Sequence, residues 1–166
     1  MTKFNEADIG ALFETSLKQA KRNLSKLKIS GGKEPSFAGL SGWVFEQTIE
    51  HCIRSELRSK GINTLIKEQH SLGGRVKADL LIGNIAIEIK TSGIFGLSDV
   101  CRYQRYKKAA HINGYDYIFL SRGESYRPYR DGITKALGGS NVFYLDKRGA
   151  WGRFMTFLIR RAGKQK

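Results

Sequence analysis

Three charged residues interrupt an otherwise apolar stretch of the chain, KADLLIGNIAIEIKTSG, which covers residues 77–93. They are Asp79, Glu88 and Lys90, and a buried strand normally excludes such side chains unless they are paired. Two carboxylates that lie close together repel each other, and a hard divalent cation with oxygen ligands relieves the repulsion. A neighbouring lysine can hold an attacking water or a phosphate oxygen. The three residue types therefore predict a metal site with a lysine beside it.

The spacing of these charges predicts that a β-hairpin positions them. Gly83-Asn84 is typical of the two-residue connections that close type I′ or II′ hairpins, so we expect Ile82 to face Ile85. Because side chains alternate along a strand, one face of the hairpin should be apolar and should pack on the core. That face carries Leu80, Ile82, Ile85, Ile87 and Ile89. The other face carries Asp79 opposite Glu88, then Lys90, with Leu81 and Ala86 beside the turn.

The elements around the hairpin follow from apolar periodicity and from capping and turn residues. Helical spacing predicts helices over residues 4–28, 40–60, 98–111 and 151–161. Gly61 should cap the second helix, and Ser98 and Asp99 should cap the start of the third. Strands are predicted over residues 63–72, 76–82, 85–91, 115–121 and 141–145. This order predicts an α/β fold, in which helices flank a central mixed sheet.

A segment rich in glycine and serine, ISGGKEPSFAG at residues 29–39, predicts a loop or hinge after the first helix. We therefore divide the chain into residues 1–36, a basic amphipathic helical extension with its linker, and residues 37–166, the main domain. The helix of the extension is expected to pack on the domain with its basic face in solvent. A membrane surface or a partner helix is the other possible use of such a helix.

The composition favours a polyanionic partner. The 166 residues include 29 Lys and Arg against 15 Asp and Glu, a net charge of +14, and a surplus of this size favours nucleic acid. Cys52 and Cys101 form no CxxC pair, so we expect neither a disulfide framework nor a four-thiolate metal site. We expect instead a reducing, cytoplasmic setting. No apolar window approaches the ~18 residues that span a membrane, so we expect a soluble protein.

Most of the surplus charge lies late in the sequence. From residue 101 onward there are 15 Lys and Arg but 4 Asp and Glu, so DNA phosphates should be contacted there. Residues 121–132, SRGESYRPYRDG, interleave tyrosines with arginines and predict a loop that contacts DNA, or one that is merely solvated. The predicted DNA contacts are Arg102, Arg105, Lys107, Lys108, Arg122, Arg127, Arg130, Arg153, Arg160 and Arg161.

The motif residues resemble a known family. Asp79, followed after a short hairpin by Glu88-Ile89-Lys90 and preceded by a helix with GWVFEQTIE, resembles the PD-(D/E)XK nuclease superfamily over roughly residues 40–120. The resemblance implies a restriction-endonuclease-like αβββαβ core and hydrolysis of phosphodiesters that depends on Mg²⁺, with Mn²⁺ as a substitute. It implies that Asp79, Glu88 and the Ile89 carbonyl bind the metal. Lys90 would orient or activate the attacking water.

The resemblance also assigns two residues outside the hairpin. Glu46, in GWVFEQ, matches an acidic residue that many members add to the site, and Glu50, one helical turn later, is the alternative for that role. Gln104 lies where several branches place a polar residue on the helix after the motif. The sequence departs from the family pattern at Ala78, which replaces the proline of the motif, and at Lys108, which replaces the tyrosine of an exonuclease branch.

These features predict a small Mg²⁺-dependent endodeoxyribonuclease. Holliday-junction resolvases and small restriction or phage endonucleases are the members of comparable size, and a four-way junction is read by shape and phosphates, which suits a basic protein. A homodimer is expected, because cutting both strands requires two sites. The resemblance leaves the DNA sequence or structure that is cut undefined.

Other interpretations remain open at this point. The hairpin could lie at the edge of the sheet with its charges in solvent and Glu88 paired to Lys90 or Lys77. The chain could be a non-catalytic nucleic-acid-binding protein with a nuclease-like fold, or a basic protein associated with the ribosome. The three histidines, His51, His70 and His111, lack metal-ligand spacing and give no support to a histidine-metal nuclease.

Overall fold

The computed structural model describes residues 2–24, 37–91, 96–123 and 126–162. Its helices are α1 (Glu6–Arg22), α2 (Phe37–Ser59), α3 (Leu97–Ile112), α4 (Arg127–Leu137) and α5 (Ala150–Ala162). Its strands are β1 (Ile66–Gly73), β2 (Val76–Ile82), β3 (Ile85–Lys90), β4 (Asp116–Ser121) and β5 (Val142–Tyr144), with a short 3₁₀ turn before β5. No helix in these ranges is long and apolar enough to cross a membrane.

The five strands form one mixed sheet in the order β1-β2-β3-β4-β5. β1, β2 and β3 are antiparallel neighbours, whereas β4 runs parallel to both β3 and β5. The predicted α/β class with a central mixed sheet flanked by helices is therefore confirmed. The interpretation of the hairpin as a sheet edge is wrong, because β1 pairs with β2 on one side and β4 pairs with β3 on the other.

Helices cover both faces of the sheet. α1, α2 and α5 contribute to a core that contains all five residues of the predicted apolar hairpin face. α3 and α4 contribute to a second core on the opposite face, which contains Leu81 and Ala86. The predicted division of the hairpin into faces is confirmed for these residues. On the predicted second face Leu81, Ala86 and Glu88 are buried, and Asp79 and Lys90 are half-buried.

The predicted hairpin register is confirmed near the turn. Ile82 pairs with Ile85 and Leu80 with Ile87, and Gly83 has φ +59 while Asn84 has no positive φ, as in a type II′ turn. The pairing of β2 with β3 stops there, so the predicted continuation to Asp79 opposite Glu88 is wrong. Instead, the Asp79 carboxylate accepts a hydrogen bond from the backbone N–H of Ile89 at 2.7 Å.

Helix boundaries differ from prediction at the start of the chain. α1 is shorter than the predicted helix over residues 4–28, and α2 begins at Phe37, within the predicted loop 29–39. Residues 25–36, which carry most of the predicted linker, lie outside the described ranges. The predicted cap of α2 is confirmed: Gly61 has φ +67, and the backbone N–H groups of Gly61 and Ile62 donate to Arg58 and Leu57.

The predicted capping of α3 by Ser98 and Asp99 is wrong. The N-cap residue is Gly96, which has no side chain with which to cap the helix. Asp99 instead lies in the first turn, where a carboxylate is favoured by the helix dipole, and its Oδ1 lies 3.1 Å from the Arg102 guanidinium. The sequence signal identified the helix but placed its start at residue 98, one residue after the observed start at Leu97.

The predicted loop over residues 121–132 is also corrected. Residues 127–132 form the first half of α4, with Pro128 in its first turn, where proline is favoured. Gly132 lies close to α3, because a Cβ built there would meet Val100 Cγ2 at 3.4 Å. The helix buries Ile133 and Leu137 in the second core. This apolar stripe is short, and the glycine, proline and serine residues of the segment therefore led to the prediction of a loop.

α1 packs into the fold. Ile9 and Phe13 are fully buried in the same core as the hairpin. A carboxylate oxygen of Glu6 accepts a hydrogen bond from the backbone N–H of Trp151 at 2.7 Å, at the first turn of α5. The expected packing of this helix is observed, and the division of the chain at residue 36 stays a prediction.

Candidate active site

The structure brings the charged residues of the hairpin together at the carboxyl end of β3. Glu88 is 3% exposed, and its Oε1 lies 2.7 Å from Lys90 Nζ. Both oxygens of Asp79 accept hydrogen bonds, Oδ2 from the Ile89 N–H and Oδ1 from Gln69 Nε2 at 3.3 Å. Two buried or half-buried carboxylates and an ammonium therefore share one site on adjacent strands.

Burial raises the pKa of each carboxyl in the site, and repulsion from neighbouring carboxylates raises those of Glu88 and Glu46 further. Burial, reinforced by the charge of Asp79, raises the pKa of Glu88 to about 7, although Lys90 opposes the change. Burial, reinforced by Asp79 and Glu88, raises the pKa of Glu46 to about 8. Burial also raises the pKa of Asp79, against the stabilising effects of Lys90 and of its two hydrogen-bond donors.

Lys90 remains a cation in this site. Burial lowers the pKa of its ammonium, but the neighbouring Glu88 and Asp79 carboxylates raise it by more, so the net change is upward. One lysine thus faces three carboxyls whose pKa values are all raised. Such a cluster gains stability from an added proton or an added cation.

An ion pair between Glu88 and Lys90 is expected both for a metal site and for a charged sheet edge with no catalytic role. The pair alone therefore does not decide between these two interpretations. The sheet-edge interpretation placed the charges in solvent, which is wrong for Glu88. A buried charge pair that merely stabilised the fold would be replaceable by apolar residues at little cost. Two further carboxyls beside the pair add repulsion, which a purely structural role leaves unexplained.

The available donors limit which cation could bind. Among the residues that the structure describes, no group of three or more His, Cys, Asp and Glu side chains could hold a metal ion. The predicted donor set is smaller, with two carboxylates and the Ile89 carbonyl. Mg²⁺ suits this set, because proteins usually bind it through one or two carboxylates while it keeps several waters. Zn²⁺ prefers nitrogen and sulfur ligands.

Of the two candidate glutamates on α2, the structure brings Glu46 to the site. Its carboxyl interacts electrostatically with Asp79, Lys90 and Glu88. Glu50 is buried elsewhere and accepts a hydrogen bond from Arg54 Nε at 2.6 Å. The predicted role of Glu46 stays a prediction, and its position is compatible with it.

On α3, the neighbour of the predicted residue faces the site. Gln104 is exposed, whereas Tyr103 is 4% exposed and its ring centre lies 6.0 Å from Lys90 Nζ. Burial raises the pKa of Tyr103 to about 12, so its hydroxyl stays protonated. Tyr103 was missed, although the helical spacing of Val100, Tyr103 and Ala110 would have placed it on the buried stripe.

Several predicted DNA contacts lie near the edge of the sheet where β3, β4 and β5 end, which we call the carboxyl edge. Arg102 interacts with Glu88, and Arg122 follows β4 directly and lies 2.7 Å from Glu14. Arg127 is exposed at the start of α4. Arg130 is used within the fold, because both of its terminal nitrogens bond to Asp146, at 2.6 and 2.9 Å.

Other predicted contacts lie away from the carboxylates. Arg161 bonds to Asp116 at the first residue of β4, the opposite edge of the sheet, and Arg160 is its exposed neighbour. Lys107 Nζ donates to the carbonyl of Leu137 at 2.8 Å and so joins α3 to α4. The remaining predicted cations, Arg105, Lys108 and Arg153, are exposed on α3 and α5.

A groove of about 420 Å³ lies between α1 and α2, lined by residues such as Trp43, Gln47 and His51. The carboxylates of the hairpin are not among its lining residues. A phosphate of a DNA backbone does not require a deep cavity, since it is reached from the surface of a duplex. The chemistry of the site is therefore assigned from the charged cluster and not from the groove.

Comparisons of the chain with models of known families, with characterised proteins and with solved structures give no match. The site must accordingly be interpreted from its own residues: two carboxylates on an internal hairpin, a lysine paired with one of them, and a third carboxyl from α2.

Proposed function

We propose that the protein is a Mg²⁺-dependent endodeoxyribonuclease with a restriction-endonuclease-like fold. The observation that carries the proposal is the ion pair between the buried Glu88 and the half-buried Lys90, next to Asp79 on the same hairpin in the middle of the sheet. Glu46 adds a third carboxyl from α2. The element order from α2 through β1, β2, β3 and α3 to β4 agrees with the αβββαβ order that the motif implies.

Each residue has a distinct proposed role. Asp79, Glu88 and the Ile89 carbonyl hold Mg²⁺, for which Mn²⁺ substitutes, and Glu46 is a further carboxyl beside them. When bound, the ion polarises the scissile phosphate and lowers the pKa of a water. Lys90 donates hydrogen bonds to the attacking water or to a phosphate oxygen, and Tyr103 packs beside its ammonium. Gln104 remains a weaker candidate, since it is exposed.

The proposed substrate is DNA, either duplex or branched. A net charge of +14 supports binding through phosphates, and exposed cations such as Arg127 lie near the carboxyl edge. Hydrolysis of both strands would use a homodimer with two sites. Recognition by phosphates and shape fits a four-way junction as well as a linear duplex.

A cleavage assay tests this proposal. The wild type and Asp79→Ala are incubated with a synthetic four-way junction, its linear arms and supercoiled plasmid, in Mg²⁺ or in EDTA. We expect cleavage that requires Mg²⁺ and is lost in Asp79→Ala, while Asp131→Ala, an exposed aspartate on α4, cleaves like the wild type. Binding that is sensitive to salt but indifferent to Mg²⁺ and to Asp79, without any cleavage, would contradict the proposal and favour a non-catalytic binding protein.

The position of the cations predicts unequal effects on DNA affinity. Arg127→Ala should weaken binding and reduce the slope of log K against log salt by ~0.9, the contribution of one phosphate contact. Arg160→Ala is the control, since this exposed arginine lies near the opposite edge of the sheet. Fluorescence anisotropy over a salt series measures both. An equal or larger effect of Arg160→Ala would place the DNA on α5 instead.

A further inference from the structure

Gln69 has an unusual backbone conformation within β1. Its φ is +47, and among the residues that the structure describes it is the one non-glycine with a positive φ. A side chain with a Cβ is disfavoured in this left-handed conformation, and it persists where the surroundings require it. Such residues cluster at functional sites.

Gln69 lies across from Asp79 in the sheet. Glu68 pairs with Leu80 and His70 pairs with Ala78, so the two neighbouring pairs flank this position and no residue is inserted. Ala78 and Leu80 belong to the cores on opposite faces of the sheet, although regular alternation would place them on the same face. The regular alternation of side chains between the two faces of the sheet is therefore interrupted at this position. Glycine would allow the same backbone conformation without strain.

The side chain of Gln69 contacts the candidate metal site. Its Nε2 donates to Asp79 Oδ1 at 3.3 Å, while the Ile89 N–H donates to Oδ2 at 2.7 Å. With a donor on each oxygen, the carboxylate is held in one orientation. Groups that orient a ligand in this way affect metal affinity although they do not touch the ion.

We propose that Gln69 is a positioning residue, which fixes the Asp79 carboxylate in the orientation that binds the cation. The inference rests on the proposed function of the site. The backbone bend alone would be served better by glycine, and glutamine supplies the amide that glycine lacks. The rival explanation is that Gln69 merely tolerates the bend.

Two variants separate the side chain from the backbone. Gln69→Gly keeps the bend and removes the amide, whereas Gln69→Leu keeps the side-chain bulk and removes the amide. We expect the affinity for Mn²⁺, measured by titration calorimetry without DNA, to fall about tenfold in both. This is the lower end of the range for orienting groups, because a bond of 3.3 Å is long. The melting temperature should be maintained in Gln69→Gly, since glycine relieves the strain.

Lys67→Ala, an exposed residue on the same strand, is the control and should bind Mn²⁺ like the wild type. If the wild type binds Mn²⁺ and both Gln69 variants bind it equally well, the positioning role is wrong while the proposed function stands. If the wild type neither binds Mn²⁺ nor cleaves DNA, the proposed function is wrong and the role of Gln69 is rejected with it.

Discussion

Replacing Lys90 by alanine is expected to lower the rate of DNA cleavage by about 10²–10³-fold, the usual cost of removing one preorganised donor from an active site. The Lys90 ammonium lies 2.7 Å from Glu88 and is kept charged by both hairpin carboxylates. Our proposal places it against the attacking water or a phosphate oxygen. Because it is not a metal ligand, the variant should still bind Mn²⁺.

Loss of Lys90 also leaves Glu88 without its cation in a buried place, which destabilises the metal-free protein. Rates are therefore compared in Mg²⁺, with Lys90→Arg as a second variant that keeps the charge but changes its geometry. Lys77→Ala, an exposed lysine on β2, is the matched control. A folded Lys90→Ala or Lys90→Arg protein that cleaves DNA at the wild-type rate would contradict the role assigned to Lys90.

The second large effect concerns stability. Phe13→Ala should lower the free energy of unfolding by about 3–5 kcal/mol, the usual cost of deleting a buried phenylalanine side chain. Phe13 is fully buried, and its ring lies 5.2 Å from that of Phe45 on α2, edge to face. The Arg122 guanidinium carbon lies 4.8 Å from the centre of the Phe13 ring. Denaturation in urea measures the change.

Thr15→Ala, on the exposed side of the same helix, should change the free energy of unfolding by less than about 0.5 kcal/mol. A large loss in Phe13→Ala with a small one in Thr15→Ala would make α1 an integral part of the domain. If Phe13→Ala lowers the free energy of unfolding by less than about 1 kcal/mol, residues 1–36 would instead be a separable extension, as the sequence predicts.

The sequence allowed the hairpin and its surroundings to be predicted because local signals agreed there. Gly83 set the turn, and the apolar residues at alternate positions set the register and the buried face. Glu88 and Lys90 therefore lie together on β3 as the hairpin predicted, whereas Asp79 is not paired with Glu88. The mixed sheet followed from the order of the elements.

Two features of the site could not be predicted from local patterns. Regular alternation would place Asp79 opposite Glu88. At the positive φ of Gln69 on the neighbouring strand, however, the alternation is interrupted, and the side chains of Ala78 and Leu80 lie on opposite faces of the sheet. Nothing in the sequence around Gln69 indicates a left-handed residue, since glycine or asparagine is the usual signal. The contact of Gln69 with Asp79 is therefore visible only in three dimensions.

α4 was missed for a different physical reason. Its sequence has Pro128 at the second position and contains Gly132, and both residue types are typical of loops. Tertiary contacts stabilise it instead: Arg130 pairs with Asp146, its guanidinium lies 4.1 Å from the Tyr144 ring, and Ile133 is buried. This packing removes Arg130 from the exposed cations and leaves the neighbouring Arg127 as the better candidate for a phosphate contact.

The central claim is that Asp79 and Glu88 hold a divalent cation, and anomalous diffraction from crystals soaked in Mn²⁺ tests it most directly. Our account predicts an anomalous peak within coordination distance of both carboxylates and of the Ile89 carbonyl, and no such peak in crystals of Asp79→Ala. Wild-type crystals that show no peak at this position in saturating Mn²⁺, with Glu88 still paired to Lys90, would contradict it.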